Sequence, residues 1–137
     1  MEHQITFVDE PRCAVIKIIG EPTFTEVHHG LRTLLTYPQW EPGIDMFVDC
    51  RETEYKHLTA STIRDLARTF TKDTRGNGPG HLALVVRREL GFGLARMWEM
   101  LINPKVGYPI QVFNSMEDAK EWLGLQDVQF SFNGQSG

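Results

Sequence analysis

Apolar residues recur along the chain with two alternating spacings, one typical of strands and one typical of helices. Short and nearly continuous apolar runs predict five strands, which are Ile5 to Val8, Cys13 to Ile19, Ile44 to Val48, Leu82 to Val86 and Ile110 to Phe113. The turn at 9–12 is short enough to join the first two strands as an antiparallel hairpin. The three later runs show little polar alternation, which indicates strands that are covered on both faces or lie in the middle of a sheet.

The stretches between the strands carry apolar residues at helical spacing and predict four amphipathic helices. Thr23 and Glu26 have the spacing of a capping box at the start of the first helix, and Ser115 is the expected cap of the fourth. Trp98 and Trp122 lie on apolar faces, so both are expected to be substantially buried. The apolar faces, helix by helix, are Phe24, Val27, Leu31, Leu34 and Leu35; Ile63, Leu66, Ala67 and Phe70; Leu90, Leu94, Met97, Trp98 and Leu101; and Met116, Ala119, Trp122 and Leu123.

This order of elements predicts a single α/β domain over residues 1–125. An N-terminal antiparallel hairpin leads into a mostly parallel sheet of four or five strands, with amphipathic helices packed mainly on one face. Residues 126–137 form a tail in which apolar and polar side chains alternate. Its segment 127–132 is predicted to lie against the sheet edge or the helices of its own chain or of a neighbour, as a possible edge strand. Pairing with a neighbour would give a homodimer.

Composition narrows the class of protein. The chain has 137 residues, of which 41% are hydrophobic and 23% charged, and this suits one soluble domain. Its 14 basic and 18 acidic side chains give a net charge of −4, which argues against a nucleic-acid-binding protein with a broad basic face. Cys13 and Cys50 fall within predicted strands and are interpreted as small hydrophobes. No apolar run approaches the roughly 18 residues of a membrane span, so a cytoplasmic protein is expected.

Motifs of the common enzyme classes are absent from the sequence. The chain has no nucleophile elbow, no phosphate-binding loop and no HExxH pair, so no catalytic residue, cofactor or metal ligand is predicted. His28 and His29 are adjacent and diverge on a helix, which does not suit one metal ion. Gly91 and Gly93 supply only part of a dinucleotide fingerprint, because Arg96 stands at the third glycine position. We interpret these glycines as a tight entry into the third helix.

The densest polar stretch, residues 49–61, lies where a predicted parallel strand ends and the second helix begins. This edge of a parallel sheet is where ligands and regulatory groups usually lie, near exposed N–H groups of a helix. Thr59 or Ser61 is predicted to cap the helix. The alternative is a hydroxyl that a kinase modifies, because a phosphate is tolerated electrostatically at a helix N-terminus.

A row of basic side chains follows one flank of the predicted second helix. Their single sign, in an acidic chain, favours a docking surface for an acidic partner, with an ordinary solvated face as the alternative. The members of this candidate partner face are Arg64, Arg68, Lys72 and Arg75.

A second group of basic side chains gathers around the entry to the third helix and the polar stretch before the second. It forms a candidate loop for binding an anion or a ligand, with ordinary surface salt bridges as the alternative. Its members are Arg51, His57, Arg87, Arg88 and Arg96.

Three strings resemble a known family. The run from Gly91 to Trp98 is similar to a "yG-x-aRm-aromatic" helix, and the run from Val112 to Leu123 to a "vF-x-x-x-eeA-x-x-WL" ending. The strand end Val48-Asp49-Cys50-Arg51 is similar to a "D-x-R" motif. Together with the order of elements, over about residues 4 to 124, the chain resembles the STAS or SpoIIAA-like domain of bacterial anti-sigma-factor antagonists.

The resemblance implies a non-catalytic regulatory module that works through a protein partner or self-association. In anti-sigma antagonists the partner kinase phosphorylates a serine of an Asp-Ser-Ser-Gly string at the start of the second helix. Here the equivalent stretch lacks that string, so only Thr59 or Ser61 stands in for the serine. The same superfamily of folds includes CRAL-TRIO lipid-transfer domains. The alternative function is therefore a carrier of a small apolar or anionic ligand, which requires an apolar cavity of about 300 Å³ or more.

Overall fold

The computed structural model describes residues 1–87 and 91–132, and within these ranges all five predicted strands and all four predicted helices are present. Leu90, expected to begin the apolar face of the third helix, lies outside the described residues. A short 3₁₀ turn at 103–105 ends that helix. The elements are β1 (Glu2–Val8), β2 (Cys13–Gly20), α1 (Phe24–Leu35), β3 (Asp45–Thr53), α2 (Ala60–Asp73), β4 (Leu82–Val85), α3 (Phe92–Ile102), β5 (Ile110–Phe113) and α4 (Met116–Leu123).

The described strands form one sheet in the order β1-β2-β3-β4-β5. β1 and β2 are antiparallel, and every other neighbouring pair is parallel. The hairpin followed by strand–helix units produces this order, because each helix carries the chain back to the start of the next parallel strand. The predicted fold class is confirmed.

The larger core lies between one face of the sheet and the helices α1, α2 and α3. Alternate strand residues such as Ile16, Val48 and Leu84 point toward these helices. Trp98 of α3 is 8% exposed, and its ring centroid lies 5.5 Å from that of Phe70 on α2. The capping box of Thr23 and Glu26 is present at the start of α1, as its spacing predicts.

The opposite face of the sheet is covered by α4 and by the tail. α4 packs on β4 and β5 through Ala119 and Leu123, and Ser115 caps it. Trp122 is partly buried, against His81 and Phe113, and is thus less completely covered than Trp98.

The described part of the tail, residues 126–132, forms no strand. It lies across the face of its own chain's sheet, where the rings of Phe130 and Phe47 meet edge to face with their centroids 4.9 Å apart. Lys120 Nζ donates to the carbonyl oxygen of Val128 at 2.8 Å and lies 4.6 Å from the centroid of the Phe130 ring. The expected packing of the tail is thus present within one chain, but the edge strand is not.

Candidate functional site

One side of α2, together with the turn that follows it, presents four basic side chains to solvent. Its apolar side, built from Ile63, Leu66, Ala67 and Phe70, packs into the larger core between α1 and α3. The polar positions between these residues therefore point outward. The basic side chains at these positions are exposed, and so is Arg75 just after the end of α2. We call the four the cationic face: Arg64, Arg68, Lys72 and Arg75.

Three of the four cations of the cationic face have no ion-pair partner among the residues that the structure describes. Arg68 pairs with Asp65 one turn away, at 2.9 Å between Nη2 and Oδ1. The other acid of α2, Asp73, is hydrogen-bonded to His28 of α1, with 2.9 Å between Oδ2 and Nε2. Within residues 1–87 and 91–132, the other three cations of the face form no ion pair. An excess of positive charge thus remains on the outer surface of an acidic protein.

Thr59 and Ser61, the two candidate hydroxyls, take different positions at the start of α2. Thr59 is the N-cap: its Oγ1 accepts from the N–H of Thr62 at 3.3 Å and lies 3.0 Å from the Thr62 hydroxyl. Ser61 is exposed in the first turn and takes no part in this cap. Capping is therefore the role of Thr59, and Ser61 offers an exposed hydroxyl outside the cap, beside the cationic face.

Tyr55 holds the loop before α2 against the start of α3. Its hydroxyl donates to the carbonyl oxygen of Cys50 at 3.2 Å, and burial raises its pKa. Gly91, the N-cap of α3, has φ +78°, and a Cβ there would come within 2.3 Å of the Tyr55 ring. The pair of glycines is thus a tight helix entry, as interpreted from the sequence. The sequence does not predict the contact with Tyr55, because nothing in the polar stretch distinguishes this tyrosine.

Arg51, a member of the candidate anion loop, forms an ion pair with Asp49 on the same strand, β3. Asp49 is 4% exposed and lies on the sheet face that also carries Phe47. Arg51 donates from Nε and Nη2 to the two carboxylate oxygens of Asp49, at 3.0 and 3.1 Å. This carboxylate raises the pKa of the guanidinium. The "D-x-R" string is therefore a closed ion pair that keeps a buried carboxylate satisfied.

The other described arginines of the anion loop are also engaged. Arg87 pairs with Glu54 at 3.2 Å, and Arg96 of α3 pairs with the buried Glu99. Each guanidinium thus has its own carboxylate, so the described arginines do not offer a shared set of free cations. The surface salt bridges expected as the alternative are present. The remaining members are His57, which is exposed, and Arg88, which lies outside the described residues.

A cavity of about 80 Å³ lies in the larger core between the sheet and the helices α1 to α3. Its walls are apolar and include Cys50, Tyr55 and Leu94. The carrier hypothesis requires about 300 Å³ or more, which is several times this volume. As formed by the described residues, the apolar cavity of the larger core is therefore smaller than the carrier hypothesis requires.

The two cysteines lie on opposite faces of the sheet. Cys13 belongs to the core under α4 and the tail, whereas Cys50 packs against the larger core, and both are free thiols. Burial raises the pKa of Cys13 and raises the pKa of Cys50 to about 12. Both behave as the small hydrophobes predicted from the sequence, and the sheet separates them.

The described residues show neither a metal cluster nor a membrane span. No group of three or more histidine, cysteine or acidic side chains among them is arranged to hold a metal ion. None of the helices in these ranges is long and apolar enough to cross a membrane.

Comparison with known proteins identifies the class of fold. No family model matches the chain, and no curated protein matches it. The sheet order, the antiparallel first strand and the helices on both faces define a SpoIIAA-like fold. Among solved structures, the chain is similar to an uncharacterized protein of the DUF3478 family with a SpoIIAA-like fold, from Shewanella loihica PV-4. The two share 18% identity with a TM-score of 0.53, over 89% of this chain and 92% of that one. The resemblance seen in the sequence is confirmed at the level of the fold.

Proposed function

We propose that this protein is a non-catalytic, cytoplasmic regulatory module, resembling STAS domains, that binds an acidic protein partner through the cationic face of α2. The observation that carries the proposal is the uncompensated charge of Arg64, Lys72 and Arg75. The chain as a whole has a net charge of −4, so this concentration of positive charge on one helix runs against its overall balance. Such a surface attracts acidic partners and repels basic ones.

An exposed apolar side chain on α3, the helix that packs beside α2, favours a protein partner over simple counterions. α3 packs beside α2 and carries Met100, whose exposed fraction of 67% makes it the most exposed large apolar residue among those described. Arginine and methionine are both enriched at the cores of protein interfaces, because they combine charge or flexibility with a large contact area. An acidic partner surface that also carries apolar side chains would match both features.

The position of Ser61 suggests how binding is regulated. Ser61 lies one turn before Arg64, so a phosphate on its hydroxyl would add negative charge beside the cations that meet the partner. Phosphorylation would therefore weaken binding while leaving the helix start electrostatically satisfied. Thr59 is a poorer acceptor, because modification would interrupt its bond to the N–H of Thr62.

The experiment that tests the proposal is site-directed photo-crosslinking in the native cell. A photoreactive residue replaces Arg68 in one variant and Gln129, which is exposed in the tail on the opposite side of the sheet, in the control. The proposal expects one acidic protein to be crosslinked from position 68 and not from position 129. Equal yields from both positions, or a crosslinked protein without an acidic surface, would refute a specific role of the cationic face.

A further inference from the structure

β1 is an edge strand with a regular and unprotected outer side. It pairs with β2 along all seven of its residues without a shift of register. No other described strand pairs with it, so alternate backbone N–H and C=O groups on its outer side have no strand partner. Proteins commonly protect such edges with lysine, proline, a bulge or a short strand. β1 has none of these, whereas β5 at the other edge is only four residues long.

The sequence of β1 is complementary to itself in an antiparallel arrangement. In an antiparallel pair, facing residues point to the same side of the sheet, so a two-fold axis perpendicular to the sheet must pass between the two copies of one residue. An axis at Ile5 is the choice that pairs all seven residues. Glu2, the single acidic residue of the strand, then faces an apolar side chain, and no like charges meet. The facing pairs are Glu2 with Val8, His3 with Phe7, Gln4 with Thr6, and Ile5 with its own copy.

We propose that the outer edge of β1 binds a second copy of this chain, which joins two five-stranded sheets into one continuous sheet with the two-fold axis at Ile5. Ile5 and Phe7 are only half-buried in one chain, and both would gain cover from the neighbouring strand. The inference does not depend on the cationic face of α2. It also moves self-association away from the tail, because residues 126–132 are packed on their own sheet.

Charge placed at Gln4 and Thr6 tests the interface and its register together. Both side chains lie on the sheet face opposite Ile5, and Gln4 faces Lys17 of β2, so a carboxylate at position 4 suits the single chain. In the proposed register, Gln4→Glu/Thr6→Glu brings like charges together twice, whereas the matched control Gln4→Glu/Thr6→Lys brings opposite charges together twice. Sedimentation equilibrium should show that the dimer dissociation constant rises by about tenfold in the first variant and falls below the wild-type value in the control.

Amide hydrogen exchange on the wild-type chain supplies a test that needs no variant. In a single chain the amides of β1 that point away from β2 should exchange rapidly, and they should become protected as the protein concentration rises. A chain that stays monomeric at all concentrations would overturn the proposal. So would a dimer in which these alternate amides still exchange rapidly, or equal dissociation constants for the two charge variants.

Discussion

At the scale of single residues, Gly91 is a position where any residue with a Cβ would be strained. Gly91 has a positive φ and lies directly under the Tyr55 ring, whereas Gly93 in the same helix has open space around its Cβ position. The two glycines look equivalent in the sequence. Their different surroundings come from a loop that is distant along the chain, so local pattern alone does not separate them.

The substitution Gly91→Ala is therefore expected to destabilise the fold by about 1–3 kcal/mol, since a left-handed backbone and a displaced tyrosine ring both oppose it. The matched control Gly93→Ala should be neutral or slightly stabilising, because alanine favours a helix interior. Urea unfolding of the two variants measures the difference. Equal unfolding free energies would show that Tyr55 does not restrict position 91.

A second residue-scale prediction concerns His3 on β1. Burial, and to a lesser extent His29, lowers its pKa from 6.5 in the folded chain. The unfolded chain then binds more protons than the folded one as the pH falls below about 6.5, so protonation favours unfolding. His3 therefore contributes stability above this pH that is lost as the pH decreases.

The variant His3→Gln should show a smaller loss of unfolding free energy between pH 7.5 and pH 5.5 than the wild type. Chemical denaturation at both pH values, at one dilute protein concentration, gives the comparison. An unchanged loss in the variant would mean that the proton is taken up elsewhere.

At the scale of elements, hydrophobic spacing predicts the helices and strands because each has to bury one face. The capping box at Thr23 and Glu26 adds a local signal that marks the start of α1. The pattern of apolar residues does not show where the tail packs. Alternation shows which side chains share a face, but not which surface they contact. Phe130 packs on Phe47, on the face of the sheet and not at its edge.

Removing the tail tests its contribution directly. Truncation after Leu125 exposes Phe47 and removes the apolar side chains packed on it, which should cost roughly 2–4 kcal/mol of folding stability. Because the tail packs on its own chain, the truncation should leave the oligomeric state unchanged. Thermal melting and light scattering measure the two quantities.

Two point variants in the untruncated chain distinguish the effect of lost packing from the effect of a shorter chain. Phe130→Ala should lower the melting temperature, whereas Gln129→Ala, at an exposed neighbouring position, should leave it unchanged. A truncated chain with an unchanged melting temperature, or with a lower mass per particle, would contradict the position described for the tail.

At the scale of the whole molecule, the sequence predicts the sheet and the exposed row of cations but not which charges remain free. Arg51, Arg87 and Arg96 looked as available as the arginines of α2. Each nevertheless forms an ion pair with a carboxylate. The position of that carboxylate depends on tertiary packing or on the local backbone conformation. Cys13 and Cys50 likewise lie on opposite faces of the sheet because of how β2 and β3 are aligned. The sequence alone does not give this alignment. Sequence spacing identifies candidate charged surfaces, and the tertiary structure determines which of their side chains are paired within the protein.

The central claim is that the cationic face binds an acidic protein partner, and the affinity of the purified pair tests it most directly. Arg64→Glu reverses one charge of the face. The matched control Gln126→Glu/Gln129→Glu changes the net charge equally at exposed positions on the opposite side of the sheet. Titration calorimetry against the crosslinked partner, at two salt concentrations, should show at least about tenfold weaker binding for Arg64→Glu and a smaller salt dependence than in the wild type. The control should bind like the wild type, whereas equal affinities for all three proteins would contradict the account.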